Sequence, residues 1–188
     1  MRVIAGDLKG RYIKTAKGLK TRPTSDKLKE AIFHKIGPFF DGGNCLDLFA
    51  GSGSLGIEAI SRGVDHTVFI DQSIDAIRTI EQNVTQFNIK NKCEIYRNDA
   101  FRALHILSKK NMKFDLVLLD PPYDKINYGK LMKALENVDI LNDNCIVYIE
   151  HRPDEKLSIR DGIFTIKDEK KINSTTSITI LEKRKMGV

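Results

Sequence analysis

Asp120-Pro121-Pro122-Tyr123 sets an acid, two rigid residues and an aromatic ring in one tetrapeptide. The run before it, Phe114-Asp115-Leu116-Val117-Leu118-Leu119, is apolar and short, which predicts a buried strand. The prolines cannot donate to a ladder, so the strand ends there. Ligands of open α/β sheets bind outside the carboxyl ends of strands. An acid and a ring at that point suit the gripping of a planar, amine-bearing group. The plain alternative is a turn that only stops the strand.

A second chemical stretch is Gly51-Ser52-Gly53-Ser54-Leu55-Gly56, a G-x-G-x-x-G between a predicted strand and a predicted helix. Glycines there let the backbone turn tightly and approach a ligand. Asp71 falls at the end of the second predicted strand, where a carboxylate accepts from ribose hydroxyls. Asp99 and Ala100 follow the third strand and offer an acceptor and a backbone N–H to an adenine. Each acid has a structural alternative: Asp99 as a helix N-cap, Asp71 as a strand-end turn residue. Their recurrence at successive strand ends favours an adenosine-containing cofactor. That leaves a dinucleotide or S-adenosylmethionine. Asp47, at the end of the first strand, suits an ammonium and would repel a pyrophosphate, which tilts the choice to S-adenosylmethionine.

The elements that must position these residues alternate. Cys45–Phe49, Thr67–Asp71, Cys93–Arg97, Phe114–Leu119 and Cys145–Glu150 read as strands. Helices are expected over 54–62, from the Ser73 cap to Phe87, over 100–109 and over 128–138. Repeated βα units with apolar strands predict a mostly parallel sheet covered on both faces. Two β-rich runs with no helix between them, 162–167 and 177–182, predict an antiparallel hairpin at the C-terminal end. Residues 2–15 read as an N-terminal hairpin. An amphipathic helix follows, with Thr24 or Ser25 as cap, Leu28, Ile32 and Ile36 as its stripe, and Gly37-Pro38 as its stop.

The 188-residue chain has a net charge of +6. Residues 1–35 hold ten Lys/Arg against Asp7, Asp26 and Glu30, a net of +7 that leaves the remainder at −1. One end is therefore a basic arm, which suits a polyanion such as nucleic acid, or else a solvated lysine-rich surface. Cys45, Cys93 and Cys145 lack metal-ligand spacing and read as small core hydrophobes. The four histidines form no triad or metal set, so no metal is expected. With no membrane-length apolar run and no signal-peptide pattern, the expectation is a cytoplasmic protein, taken as a monomer.

The tetrapeptide resembles motif IV of amino-methyltransferases, [DNS]-P-P-[YFW], at the strand position where those enzymes carry it. Together with Arg2-Val3-Ile4-Ala5-Gly6, Lys9-Gly10-Arg11, Arg22-Pro23-Thr24 and Asp47 through Ala59, it resembles the RsmD family of 16S rRNA guanine-N2 methyltransferases, which modify guanine 966. The resemblance implies a Rossmann-like class I S-adenosylmethionine-dependent methyltransferase fold with a seven-stranded sheet. It divides the chain into a basic RNA-binding extension, residues 1–40, and a methyltransferase domain, residues 41–188. It implies catalytic positions at Asp120, Pro121, Pro122 and Tyr123. Cofactor positions fall at Asp47, Phe49, Gly51, Gly53, Asp71, Asp99 and Ala100. Arg11, Lys14, Arg22 and Thr24 become candidates for contact with 16S rRNA or a small-subunit particle. Asp71 departs mildly from the family, where many relatives carry Glu; both reach a ribose. Competing readings are a nicotinamide-dependent oxidoreductase, a DNA adenine-N6 methyltransferase and a noncatalytic RNA-binding module. The small chain, the absence of a separate target-recognition domain and the intact motif disfavour them in turn.

Overall fold

The computed structural model describes residues 1–15, 26–123, 126–157, 159 and 163–185. Its elements run α1 (Asp26–Ile36), β1 (Asn44–Asp47), α2 (Ser54–Ser61), β2 (His66–Asp71), α3 (Ile74–Gln86), a 3-10 turn at Lys90–Lys92, β3 (Cys93–Arg97), α4 (Ala100–Lys109), β4 (Phe114–Leu119), α5 (Tyr128–Asn137), β5 (Leu141–His151), β6 (Phe164–Lys171) and β7 (Ser177–Lys183). The seven strands form one sheet in the order β3-β2-β1-β4-β5-β7-β6. β1 to β5 pair in parallel, and β7 runs antiparallel between β5 and β6. The strand order reverses between β1 and β4, which is where open sheets of this kind leave a crevice.

Alternation along each strand feeds two cores. Leu46, Val68, Val117 and Val147 face α4 and α5, meeting Leu104, Leu107, Leu131 and Leu135. On the other face Cys45, Leu116 and Tyr148 meet Ile32 and Phe33 of α1 and Leu55 and Ala59 of α2. Phe69 meets Ile80 and Val84 of α3. The cysteines are free; Cys45 and Cys145 are buried and Cys93 is partly so. Among the described residues no helix is long and apolar enough to cross a membrane.

The N-terminal hairpin is narrower than its sequence suggests. It consists of one bridge, Arg2 to Tyr12, with flanking bonds from Val3 N–H to Arg11 O and from Ile13 N–H to Met1 O. Tertiary contacts hold it instead. Val3, Leu8 and Ile13 bury against Ile57 and Ile60 of α2. Gly6 approaches α2 so closely that a Cβ would stand 1.6 Å from Ser61 O, and only glycine fits. The polar stripe of α2 receives this segment. Glu58 accepts from Ile4 N–H (2.8 Å) and Ala5 N–H (3.1 Å), and Ser61 Oγ accepts from Leu8 N–H. Glu58 also pairs with Lys29 of α1 (3.2 Å) and Arg62 (2.8 Å), all three side chains being buried. Thr24 and Ser25, the expected caps of α1, lie outside the described residues.

Candidate active site

Parallel register sets three acids on one edge of the sheet. Asp47 pairs with Phe69 on β2 and Leu118 on β4, so Asp71 and Asp120 each lie two residues beyond its neighbours. All three line a cleft of about 1320 Å³ at the strands' carboxyl ends. Phe49, Gly51, Asp99 and Ala100 line the same cleft, as do Pro121, Pro122 and Tyr123.

The turn after β1 is held by carboxylates. α2 has no capping side chain of its own at Gly53; Asp47 Oδ2 accepts the Gly56 N–H at 3.0 Å instead. Asp71 accepts from Gly51 N–H through Oδ2 (2.9 Å) and from Ser73 N–H through Oδ1 (2.8 Å). The amides that would cradle a pyrophosphate are thus already facing negative charge. Each carboxylate oxygen has a second lone pair for a ligand. Burial pushes the Asp47 carboxyl up to about 7, with the Gly56 N–H opposing and the Asp71 charge adding.

The three glycines differ in use. Gly51 has φ +55 with open space where a Cβ would be, so it borders the cleft. Gly53 is absent from the lining; a Cβ there would press on Ile57 and Phe69 at 3.3 Å. Gly56 packs α2 on β2, where a Cβ would meet the Phe69 ring at 2.4 Å. Asp99 combines both of its expected readings. It lines the cleft, and its Oδ1 caps α4 by accepting from Phe101 N–H (3.0 Å) and Arg102 N–H (3.1 Å).

Asp120 is raised well above the usual carboxylate range, first by burial, then by the charges of Glu150 and Asp47. The Tyr123 hydroxyl donates to Glu150 Oε1 at 2.5 Å and lies 3.2 Å from Thr176 Oγ1. Tyr148 OH donates to Glu150 Oε2 (3.2 Å), and Tyr128 OH to the Glu150 carbonyl (3.1 Å). Sequence reasoning missed Glu150, although it ends an apolar strand with an acid just as Asp47, Asp71 and Asp120 do.

Of the candidate RNA-contacting residues, Arg11 and Lys14 lie elsewhere. Arg11 Nη2 donates to Gln86 O (2.8 Å) and its guanidinium stands 4.7 Å from the Phe87 ring centroid, so it caps the end of α3. Lys14 is exposed and lines a second, open cleft of about 860 Å³ with Arg78 and Lys90. Its main chain exchanges hydrogen bonds with Asn83, whose Nδ2 also donates to Ser52 O in the glycine turn. Arg22 and Thr24 lie outside the described residues.

This strand order, with the cleft over β1 and β4, is the fold of S-adenosylmethionine-dependent methyltransferases. A solved structure described as "Putative methyltransferase yhhF from Escherichia coli" superposes at TM-score 0.85 over 99% of both chains; at 24% identity that likeness concerns the fold. The chain belongs to the RsmD family, whose model, described as "Conserved hypothetical protein 95", matches residues 1–181. A Bacillus subtilis relative named "Putative rRNA methyltransferase YlbH" is 42% identical over 186 residues, covering 98% of this chain and all of that one. "Ribosomal RNA small subunit methyltransferase D" of Buchnera aphidicola is 34% identical over 158 residues, 84% of this chain and 81% of its own.

Proposed function

We propose that the chain methylates the exocyclic N2 amine of a guanine in 16S rRNA, at position 966 by family resemblance, with S-adenosylmethionine as donor. The observation that carries the reading is the placement of Asp120-Pro121-Pro122-Tyr123 one strand from Asp47 in a single cleft. The acids fit the donor and not a dinucleotide. Asp47 sits on the helix N-terminus where a pyrophosphate would go. Asp47 would hold an ammonium, Asp71 the ribose hydroxyls, and Asp99 with Ala100 the adenine.

Bound there, S-adenosylmethionine supplies an electrophilic methyl on a sulfonium. The protein's task is to make a poor nucleophile attack. A base amine has its lone pair delocalised into the ring. Asp120 and the Pro121 carbonyl accept from its two N–H bonds and draw the nitrogen toward tetrahedral geometry. Tyr123 stacks on the base, a contact worth about 1–3 kcal/mol. The target nucleotide enters unpaired or extruded. The raised proton affinity of Asp120 suits it to receive the proton that the methylated amine releases. Rate comes mainly from positioning. The basic extension, residues 1–40, would hold the RNA, with exposed Lys14, which shares an open cleft with Arg78 and Lys90, as one phosphate contact.

The test offers methyl-labelled donor with unmodified small-subunit RNA or particles. Label in RNA is the expected result; folded protein that binds S-adenosylhomocysteine yet labels neither substrate refutes the proposal.

A further inference from the structure

We propose that Glu150 is a positioning residue that fixes the ring of Tyr123 by accepting its hydroxyl, and so sets the plane on which the target base stacks. The inference rests on the reading of Asp120 to Tyr123 as an amine clamp. Glu150 belongs to the rigid end of β5, where it pairs with Ile178 on β7. It is 6% exposed and borders the cleft beside the tetrapeptide. Tyr123, by contrast, lies beyond the end of β4, in the connection to α5. Two prolines restrain its backbone on one side. Its side chain turns about two bonds, and a contact at the far end is needed to stop that swing. The 2.5 Å bond to Glu150 Oε1 supplies it, with the short length of a hydroxyl on a carboxylate.

The surroundings suit this use. A buried carboxylate is costly unless it gains donors. Here Tyr148 donates to Oε2, so each oxygen carries one tyrosine hydroxyl. Tyr128 donates to the main-chain oxygen of the same residue, which ties α5 to this strand end. Three of the chain's five tyrosines therefore converge on one glutamate. An apolar residue would fill the space as well, but would leave the Tyr123 hydroxyl without its charged acceptor. The acid is the charged and closer of the two acceptors at the ring's far end, the other being Thr176 Oγ1 at 3.2 Å.

A mutant cycle tests the inference with near-isosteric changes that preserve packing. Tyr123→Phe and Glu150→Gln are each expected to lower kcat about tenfold, as small misplacements of a reacting group do. S-adenosylhomocysteine affinity should stay within about twofold. Tyr123→Phe deletes the hydroxyl, and Glu150→Gln leaves one acceptor oxygen for two tyrosine hydroxyls and so weakens the same contact; the double variant should therefore be no slower than the slower single one. Losses that multiply would mean that Glu150 acts separately from Tyr123 and would overturn the proposal. A readout on unliganded protein stands apart from activity. With 3-fluorotyrosine incorporated, the fluorine resonance that Tyr123→Phe removes should shift in Glu150→Gln. An unmoved resonance overturns the positioning role even if methyl transfer occurs. A resonance that moves in Glu150→Gln while the wild-type protein transfers no methyl leaves the contact standing and refutes the proposed reaction alone.

Discussion

Asp47 Oδ2 accepts the backbone N–H of Gly56 at 3.0 Å, so a carboxylate from β1 caps the helix that the glycine turn begins. The contact decides what the turn can hold. A G-x-G-x-x-G loop that already gives an amide of its helix N-terminus to a buried acid has less to offer a pyrophosphate, so NADH should not compete with S-adenosylhomocysteine for the cleft.

The same residue makes a pH prediction. The folded Asp47 carboxyl titrates at about 7, the ordinary one at 3.8. Between those values the folded chain retains a proton that the unfolded chain has lost, so stability falls as pH rises through the window. The drop attributable to this group is up to about 4 kcal/mol, and Asp47→Asn should flatten it in urea melts. An ammonium favours the ionised acid. S-adenosylhomocysteine should therefore bind more tightly from about pH 6 to about pH 8, releasing a proton, by up to about tenfold per pH unit below the titration point. Calorimetry in buffers of different ionisation enthalpy reads that proton; pH-independent binding would contradict it.

Asp120→Ala should lower kcat by about 100-fold or more, the usual scale for a lost polar contact at the reacting atom. Cofactor affinity should remain nearly intact. Asp120→Asn keeps an acceptor oxygen but cannot ionise, so it should retain part of the rate and lose the acid limb of the pH profile. Equal losses of cofactor affinity and turnover in Asp120→Ala would place the residue in the cofactor site.

Glu58 joins three segments, through Lys29 of α1, Arg62 after α2 and the amides of Ile4 and Ala5. Glu58→Ala strands two buried cations and should cost about 3–5 kcal/mol in urea unfolding. Limited proteolysis should then cut the N-terminal residues first. A loss below about 1 kcal/mol would show that the network carries little.

Arg11 and Lys14 should separate stability from RNA binding. Arg11→Ala removes a helix-end hydrogen bond and a ring contact, with an expected cost of about 1–2 kcal/mol. Lys14→Ala should leave the melting point unchanged and weaken RNA binding, with the salt slope falling by about 0.7 for one phosphate contact. The opposite pattern would move Arg11 into the interface.

How much of this was legible depends on what each residue's partner is. β3, β4 and α4 match their expected bounds because apolar periodicity and the Asp99 cap define them locally. β5 begins at Leu141, four residues earlier than its apolar run. Asn142-Asp143-Asn144 reads as a turn, but the ladder continues past a bulge, with Asn144 at positive φ. β6 extends through Lys167–Lys171, since an edge strand leaves one side to water and needs no apolar pattern. The cleft acids were readable as strand-end acids. Glu150 belonged to the same pattern, but its role depends on Tyr123, 27 positions away. The buried polar stripe of α2 has its partners 53 and 54 residues upstream, so nothing local to 54–62 marks it as buried. Gly53 fits a cofactor motif but lies off the cleft lining, in contact with Ile57 and Phe69, a placement that depends on the packing of α2 on β2.

The most direct measurement of the central claim is mass spectrometry of nucleosides and fragments from small-subunit RNA after a single round of methylation. The account predicts N2-methylguanine at one position in the RNA, and none with Asp120→Ala. Methyl on another atom, or label spread over many guanines, would contradict it.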